Sequence, residues 1–184
     1  EIGSCDWSSD VCSSDLGDKQ INDVERSIEA KCLSLILKQQ PVASDLRDVS
    51  TALKVVTDLE RIGDQSADIA ELILEMKEMD SFLMIGHIQD MAKIATKMVK
   101  EALDAFHQHD LNHALEVKKM DIKMDELFDQ VKKDIIQMIK ESNDKGDLTI
   151  NFLMIAKYFE RIGDHAVNIA EWVQFSITGE HKRL

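Results

Sequence analysis

The feature that most constrains the fold is a pentapeptide, Glu-Arg-Ile-Gly-Asp, which occurs at residues 60–64 and again at residues 160–164. The similarity extends over fourteen positions, 58–71 and 158–171, and eight of them are identical. Shared helix propensity does not produce so many identities, so the chain contains an internal duplication. The helix before each copy matches more weakly. The repeated unit is therefore predicted to be a pair of helices joined by a turn.

The rest of the sequence predicts an all-α fold. Hydrophobic residues make up 44% of the 184 residues, and Pro41 is the single proline. Apolar residues recur at helical spacing in five segments, which are approximately 21–39, 45–79, 82–107, 110–139 and 147–178. Ser44 or Asp45 is expected to cap the second helix. We predict two pseudo-repeated antiparallel three-helix bundles.

The two predicted bundles are unequal. The second repeat, residues 80–184, has all three helices, whereas the first, residues 17–79, has no counterpart of the 82–107 helix. We expect that the first bundle is incomplete and lacks its opening helix, which would leave an apolar face exposed. Residues 1–16 contain Ser-Ser-Asp twice and no helical apolar period, so we interpret them as a non-native or disordered leader.

Composition excludes several classes of function. The formal net charge of −13 disfavours binding to nucleic acid and to anionic lipid. No apolar run approaches the roughly 20 residues that a membrane-spanning helix needs. Cys32 falls in a helical pattern and is expected to be a small buried side chain. These features favour a cytoplasmic protein that is at most peripheral to a membrane.

The repeated motif places carboxylates on one helix face. Glu60 and Asp64 are four residues apart, as are Glu160 and Asp164. Like charges at this spacing destabilise an isolated helix by roughly 0.2–0.5 kcal/mol per pair. A cation bound between them would remove that repulsion, so the motif is a candidate metal site.

The preceding helix of each repeat offers a second pair of oxygen ligands at the same spacing. In the second repeat this pair is Asp121 and Asp125, and in the first it is Asp18 and Asn22. Two antiparallel helices with such pairs could form an oxygen-rich site for iron, manganese, magnesium or zinc. Since Asn22 lacks a charge, the first site is expected to bind more weakly.

Other interpretations of these residues remain open. The acidic pairs could be solvated surface residues, with Arg61 and Arg161 neutralising their neighbours. Gly63 and Gly163 each cost about 1 kcal/mol relative to Ala, which predicts close approach of another helix or of a bound ion's ligands. Histidines are a weaker signal. His109 and His113 could chelate a soft metal but are more easily explained as surface residues.

An enzymatic role is not expected. Ferritin-like metal sites use Glu-x-x-His at i,i+3, whereas Glu160 and His165 are five residues apart. The sequence also shows no nucleophile–base pair and no phosphate-binding loop. The alternatives are therefore a metal-binding adaptor and a metal-free helical interaction protein.

Three motifs occur together in this chain: Gln-Pro-Val-Ala-Ser-Asp-Leu-Arg at 40–47, and the two copies of the repeat that begin at 58 and 158. In their order and spacing they resemble the PhoU family of phosphate-transport regulators. The resemblance covers residues 17 to about 179. Asn22 departs from the family pattern, in which a carboxylate residue occupies this position.

The resemblance implies two three-helix bundles, a homodimer and a cytoplasmic location. It implies iron- or zinc-type metal ions, including multinuclear clusters, bound by Glu60, Asp64, Asp18, Asn22, Glu160, Asp164, Asp121 and Asp125. It further implies that the protein links the ATPase of a phosphate ABC transporter to a sensor histidine kinase and negatively regulates the phosphate-starvation response.

Overall fold

The computed structural model describes residues 7–76, 86–141 and 146–180, and it describes the side chains from residue 21 onward except that of residue 147. These residues form five helices: α1 (Trp7–Gln39), α2 (Ser44–Glu75), α3 (Gly86–Gln108), α4 (Leu111–Glu141) and α5 (Gly146–Thr178). No strand occurs among the described residues, and the predicted all-α fold is confirmed.

The helices pack as a complete bundle joined to a hairpin. In the second repeat α3, α4 and α5 contact one another in all three pairs. In the first repeat α1 packs on α2, and α2 in turn packs on α5. The two repeats therefore meet through the helices that carry the Glu-Arg-Ile-Gly-Asp motif.

The main core lies inside the second repeat and extends to α2. Met91 and Met98 of α3, Met124 of α4 and Phe152 of α5 are fully buried. Val55 and Ile69 of α2 belong to the same core. Burial of the apolar stripes that the sequence predicted stabilises this arrangement.

The first repeat is much less buried. Between residues 21 and 39 of α1, Cys32 is the single buried side chain, as the sequence predicted for this cysteine. Leu33 is 54% exposed and Leu37 is 80% exposed. The described part of this repeat thus presents apolar side chains on α1, in agreement with the expected exposed face.

Two local features of the structure bear on the sequence predictions. Residues 7–16, which the sequence indicated as part of a non-native or disordered leader, are the first turns of α1. Serine and aspartate are only moderately unfavourable in helices, and extension of an existing helix needs no new nucleus. The predicted side-chain cap of α2 is also absent. Ala43 stands at the N-cap with a positive φ of 40°, in the turn that contains Pro41.

The predicted boundary between the second and third helices is only partly visible. Helix α2 ends at Glu75 and α3 begins at Gly86, and residues 77–85 lie outside the described residues. None of the described helices combines the length and apolar character that crossing a bilayer requires.

Candidate metal centre

Buried neighbours orient the four carboxylates of the second repeat. Asp121 and Asp125 of α4 each follow a buried methionine, Met120 and Met124. Because those methionines point into the core, the next residue on the helix turns toward the flank that faces α5. Helical spacing thus places both aspartates along one side of α4.

Helix α5 contributes the other half of this group, which we call the second acidic set and which consists of Asp121, Asp125, Glu160 and Asp164. Glu160 is partly buried, and Asp164 is exposed at the surface. The buried residues Ile162 and Gly163 lie between them. The i,i+4 spacing keeps both carboxylates on one flank of α5.

Electrostatic coupling shows that the two halves face each other. Partial desolvation, followed by repulsion from Asp125, Asp164 and Glu160, raises the pKa of Asp121 to about 6. Desolvation and then Glu160 also raise the pKa of Asp164, to which Asp125 adds a smaller contribution. The four carboxylates that the sequence grouped therefore lie within electrostatic reach of one another.

A lysine that sequence reasoning missed lies beside this set. The ammonium group of Lys157 forms an ion pair and hydrogen bond with Glu160, one helical turn away. It also lies 5.5 Å from the centroid of the Phe128 ring on α4. The i,i+3 spacing of Lys157 and Glu160 is the sequence signal that could have identified it.

The first acidic set consists of Glu60, Asp64, Asp18 and Asn22. Glu60 and Asp64 are partly buried on α2, and Asn22 is partly buried on α1. The side chain of Asp18 is outside the described residues, although its backbone belongs to α1. Because α1 packs on α2, the pair formed by Asp18 and Asn22 and the pair formed by Glu60 and Asp64 lie on adjacent helices.

The two repeated glycines mark the same helix–helix contact in both repeats. A Cβ on Gly63 would lie 3.0 Å from Cδ1 of Ile21 on α1. A Cβ on Gly163 would lie 3.6 Å from Cγ of Met124 on α4, and Met124 is the residue that aligns with Ile21. These contacts support helix packing as the reason for both glycines, and they give the two hairpins the same register.

Polar contacts between the repeats obey a pseudo-two-fold relation. Asp58 of α2 accepts hydrogen bonds from His165 Nδ1 at 2.8 Å and from Asn168 Nδ2 at 3.4 Å. The Tyr158 hydroxyl of α5 in turn donates to the carboxylate of Asp68 on α2. Positions 58 and 168 thus exchange roles with positions 158 and 68, as at an isologous interface.

The buried Asp58–His165 pair is not among the contacts that the sequence predicted. The side chain of Asp58 is 9% exposed and that of His165 is 15% exposed. The signal for a buried role is the position of Asp58 within the apolar stripe of α2, three residues after Val55. His165 therefore connects the two repeats directly, next in sequence to Asp164.

The remaining histidines make separate contacts. His113 Nδ1 donates to Glu101 Oε2 at 2.6 Å, and this bond raises the pKa of His113. His87 Nδ1 is 2.6 Å from Asp134 Oδ2 at the other end of α3. His109 is exposed, as the sequence predicted. His113 is partly buried and contacts the carboxylate of Glu101.

An open groove between α3 and α4 is separate from both acidic sets. Its volume is approximately 540 Å³. It is lined by His87, Asp90, Lys93, Ile94, Lys123, Glu126, Leu127 and Gln130. Lys93 is neutralised by Asp90 at 2.8 Å, so the groove presents balanced charge.

The fit of a metal ion to the second acidic set can be judged from its ligands. Carboxylate oxygens suit hard and borderline divalent cations, and the mutual repulsion within the set would decrease if a cation bound. Among the side chains that the structure describes, however, no three His, Cys, Asp or Glu residues converge in a group that could hold an ion. Glu160 is instead paired with Lys157.

The fold and the site together define a class of protein. It is a duplicated helical-bundle protein in which paired carboxylates recur on the two motif-bearing helices. The family profile described as "PhoU domain" matches residues 11–73 and 88–173. The chain therefore belongs to the PhoU family.

Curated relatives agree with this assignment. The chain is 37% identical over 168 residues to a phosphate-specific transport system accessory protein PhoU homolog of Clostridium acetobutylicum, covering 91% of this chain and 77% of that protein. It is 35% identical over 167 residues to the PhoU homolog 1 of Thermotoga maritima, covering 90% of this chain and 72% of that one.

Solved structures show the same fold. The crystal structure of PhoU from Pseudomonas aeruginosa matches with a TM-score of 0.80 and 34% identity, over 92% of this chain and 82% of that chain. The phosphate transport system regulatory protein PhoU from Streptococcus pneumoniae matches with a TM-score of 0.83 and 29% identity, over 96% and 84% of the respective chains.

Proposed function

We propose that this protein is an accessory regulator of phosphate transport. The observation that carries the proposal is that the PhoU profile matches both repeats, on the helices that assemble the acidic sets. The names of its relatives describe accessory proteins of the phosphate-specific transport system. The proposed role is negative regulation of phosphate uptake and of the phosphate-starvation response.

The proposed partners are the ATPase subunit of a phosphate ABC transporter and a sensor histidine kinase. The protein would act as an adaptor between them in the cytoplasm, as a homodimer and without catalysing a reaction. The exposed apolar side chains of α1, such as Leu33 and Leu37, provide surface that protein contacts could cover. The acidic surface suits a basic partner surface.

The proposed role includes binding of iron- or zinc-type metal ions. In the second repeat the ligands would be Asp121, Asp125, Glu160 and Asp164, and in the first they would be Asp18, Asn22, Glu60 and Asp64. A bound ion would supply positive charge between two packed helices. The side chains would supply oxygen ligands on helices that approach each other closely at Gly63 and Gly163.

A co-purification experiment tests the regulatory role. The purified protein is incubated with the transporter ATPase and with the cytoplasmic part of the sensor kinase from the same organism. We expect both to be retained, with retention lowered by Asp64→Asn and Asp164→Asn together. Failure of both proteins to bind would overturn the adaptor proposal.

A metal-free interaction scaffold is the alternative. It is favoured by the absence of a closed metal-ligand group among the described side chains. Elemental analysis after purification without chelator distinguishes the two. Bound metal that is lost in Asp164→Ala supports the metal-binding adaptor, whereas no metal in either protein, with partner binding intact, supports the scaffold.

A further inference from the structure

The outward side of α1 carries exposed apolar and small side chains. Helical spacing places five residues on this side, roughly opposite the buried Cys32, and we call them the outer stripe: Val24, Ser27, Ala30, Ser34 and Leu37. Val24 is 56% exposed and Leu37 is 80% exposed. The stripe thus ends in an exposed aliphatic side chain in each direction and is small in the middle.

The aligned helix of the second repeat has a different outward side. When α4 is aligned with α1 as Met124 is with Ile21, the last four stripe positions correspond to Gln130, Lys133, Gln137 and Lys140. Long polar side chains favour a solvated helix face, whereas small side chains allow the axis of another helix to come close. The first repeat therefore has a surface suited to helix packing where the second repeat has a solvated one.

The charge of α1 is divided between its two halves. Residues 21–30 contain three acidic side chains and one arginine, a formal charge of −2, and residues 31–39 contain two lysines, a formal charge of +2. The aligned halves of α4, residues 124–133 and 134–142, each have a formal charge of −1. Of these two helices, only α1 has an acidic half and a basic half.

This division makes α1 complementary to an antiparallel copy of itself. In an antiparallel pair centred on the middle of the outer stripe, Asp23 lies level with Lys38 of the second copy, because both helices advance by the same rise per residue. Val24 lies level with Leu37 of the second copy in the same way. A two-fold axis repeats each of these pairings, so opposite charges and exposed aliphatic side chains both meet twice.

Charge also favours a second copy over another kind of partner. The whole chain has a formal charge of −13, so two copies repel each other over most of their surface. Residues 21–39 of α1 are neutral in total, which lowers that repulsion where these helices meet. A strongly basic partner would be attracted to the acidic parts of the surface and has no electrostatic reason to select α1.

We propose that the outer stripe is a homodimer interface, in which α1 packs antiparallel on α1 of a second copy. Asp23 and Lys38 determine the orientation, and the aliphatic ends of the stripe provide the apolar contact. The inference rests on the homodimer of the proposed function and adds to it the surface and the direction of packing.

Sedimentation equilibrium of the full chain at low ionic strength measures the dissociation constant of the dimer. Ala30→Lys and Leu37→Lys give α1 the residue type that α4 has at the aligned positions, and each is expected to weaken the dimer about tenfold or more. Ile150→Lys is the matched control, since Ile150 is 61% exposed on α5, outside the stripe. It should leave the dissociation constant unchanged, and circular dichroism at 222 nm verifies that every variant remains helical.

A charge exchange tests the antiparallel direction. Asp23→Lys and Lys38→Asp should each weaken the dimer about three- to tenfold, because each change brings like charges level twice. The double variant should recover to within about threefold of the parent protein. Its net charge equals that of the parent, so a change in general repulsion cannot explain the recovery. In a parallel pair each residue would meet its own copy, and no such recovery is expected.

Three results would overturn the inference in distinguishable ways. A protein that stays monomeric contradicts both the interface and the homodimer of the proposed function, whereas the co-purification experiment still decides the adaptor role. A dimer that is unaffected by Leu37→Lys, or that the double charge variant does not restore, has its interface elsewhere or in another direction. If Leu37→Lys abolishes retention of the transporter ATPase or the kinase but leaves the dimer intact, the stripe binds that protein instead.

Discussion

The two repeats share a sequence motif but differ in what surrounds it. In the second repeat Gly163 is buried, and Met98 of α3 lies 3.4 Å from the position of a Cβ there. In the first repeat Gly63 is partly exposed, and among the side chains that the structure describes a Cβ there would meet only Ile21 of α1. Helix α3 covers the α4/α5 hairpin, whereas the described part of the chain provides no such cover for α1.

An identical motif therefore does not have an identical energetic role in the two repeats. Met124 and Ile21 make the equivalent contact to the repeated glycine, yet Met124 is fully buried and Ile21 is 38% exposed. Hydrophobic stabilisation scales with the apolar area removed from water. The second repeat should therefore hold most of the folding free energy, and the first should depend on its contact with α5.

The largest expected effect comes from truncating the two equivalent side chains. Met124→Ala leaves a cavity among three helices and should lower the free energy of unfolding by about 2–4 kcal/mol. Ile21→Ala removes a side chain that is already partly in water and should cost less than about 1 kcal/mol. Urea denaturation followed by circular dichroism measures both, and equal costs would contradict the unequal burial of the repeats.

The next effect concerns the contacts between the repeats. Asp58→Ala leaves His165 and Asn168 without their carboxylate partner in a largely buried position, which should cost about 2–3 kcal/mol. Tyr158→Phe, at the pseudo-symmetric position, removes one hydrogen bond to Asp68 and should cost about 1 kcal/mol. Chemical denaturation compares the two. A smaller cost for Asp58→Ala than for Tyr158→Phe would show that the buried pair is not the stronger connection.

A further asymmetry supports that expectation. Gln65 occupies the position of His165 in the first repeat. Its side-chain oxygen is buried without a hydrogen-bond partner among the described residues. The two ends of the α2–α5 contact are thus chemically unequal despite their sequence symmetry. His165 forms a hydrogen bond with Asp58, whereas the side-chain oxygen of Gln65 forms none among the described residues.

The second acidic set provides a pH-dependent prediction. The pKa of Asp121 is raised to about 6 in the folded protein, so the native state binds its proton more tightly than the unfolded state does. Stability should fall as pH rises from about 4 to about 6 as Asp121 ionises. Asp121→Asn removes this penalty and should stabilise the metal-free protein at pH 7 by about 1 kcal/mol, after allowance for solvent screening.

Thermal denaturation of the chelator-treated proteins between pH 4 and pH 7.5 measures this difference. Asp129→Asn is the matched control, because Asp129 is on the same helix and its hydrogen bond with Lys132 lowers its pKa. That substitution should not stabilise the protein at pH 7. A gain for Asp121→Asn that is equally large at pH 4 and pH 7 would be incompatible with repulsion within the acidic set.

The smallest expected effect lies at the α3–α4 turn. The hydrogen bond from His113 to Glu101 raises the pKa of this histidine above its ordinary value of 6.5. The resulting stabilisation is fully present below pH 6.5 and is lost as pH rises through the folded-state pKa. His113→Gln should reduce the decline in melting temperature between pH 6 and pH 8.5, and an unchanged slope would assign that decline to other groups.

The sequence predicted the helices and the acidic pairs because both depend on local periodicity. Residues four apart share a helix face, so the pairing of Glu160 with Asp164 follows from spacing alone. The opposing position of Asp121 and Asp125 followed from the repeat, since the same two-helix unit occurs twice. The repeated glycines likewise predicted close approach, either of another helix or of a bound ion's ligands, and the contacts with Ile21 and Met124 favour the helix.

Other features could not be predicted from spacing. The helical state of residues 7–16 did not follow from their sequence, because weak helix formers can extend an existing helix. Lys157 was missed because a long charged side chain on a polar face has many possible directions. Whether it turns to Glu160, to Phe128 or to water depends on the neighbouring helix.

The all-helical fold, the internal duplication and the helix faces that carry carboxylates follow from the amino-acid sequence. These are local properties, set by the 3.6-residue period and by recurrence along the chain. The packing of α2 on α5, the contact of Asp58 with His165 and the pairing of Lys157 with Glu160 became visible only in the folded chain. Such contacts depend on how helices distant in sequence pack, and two repeats with the same motif therefore acquire different surroundings.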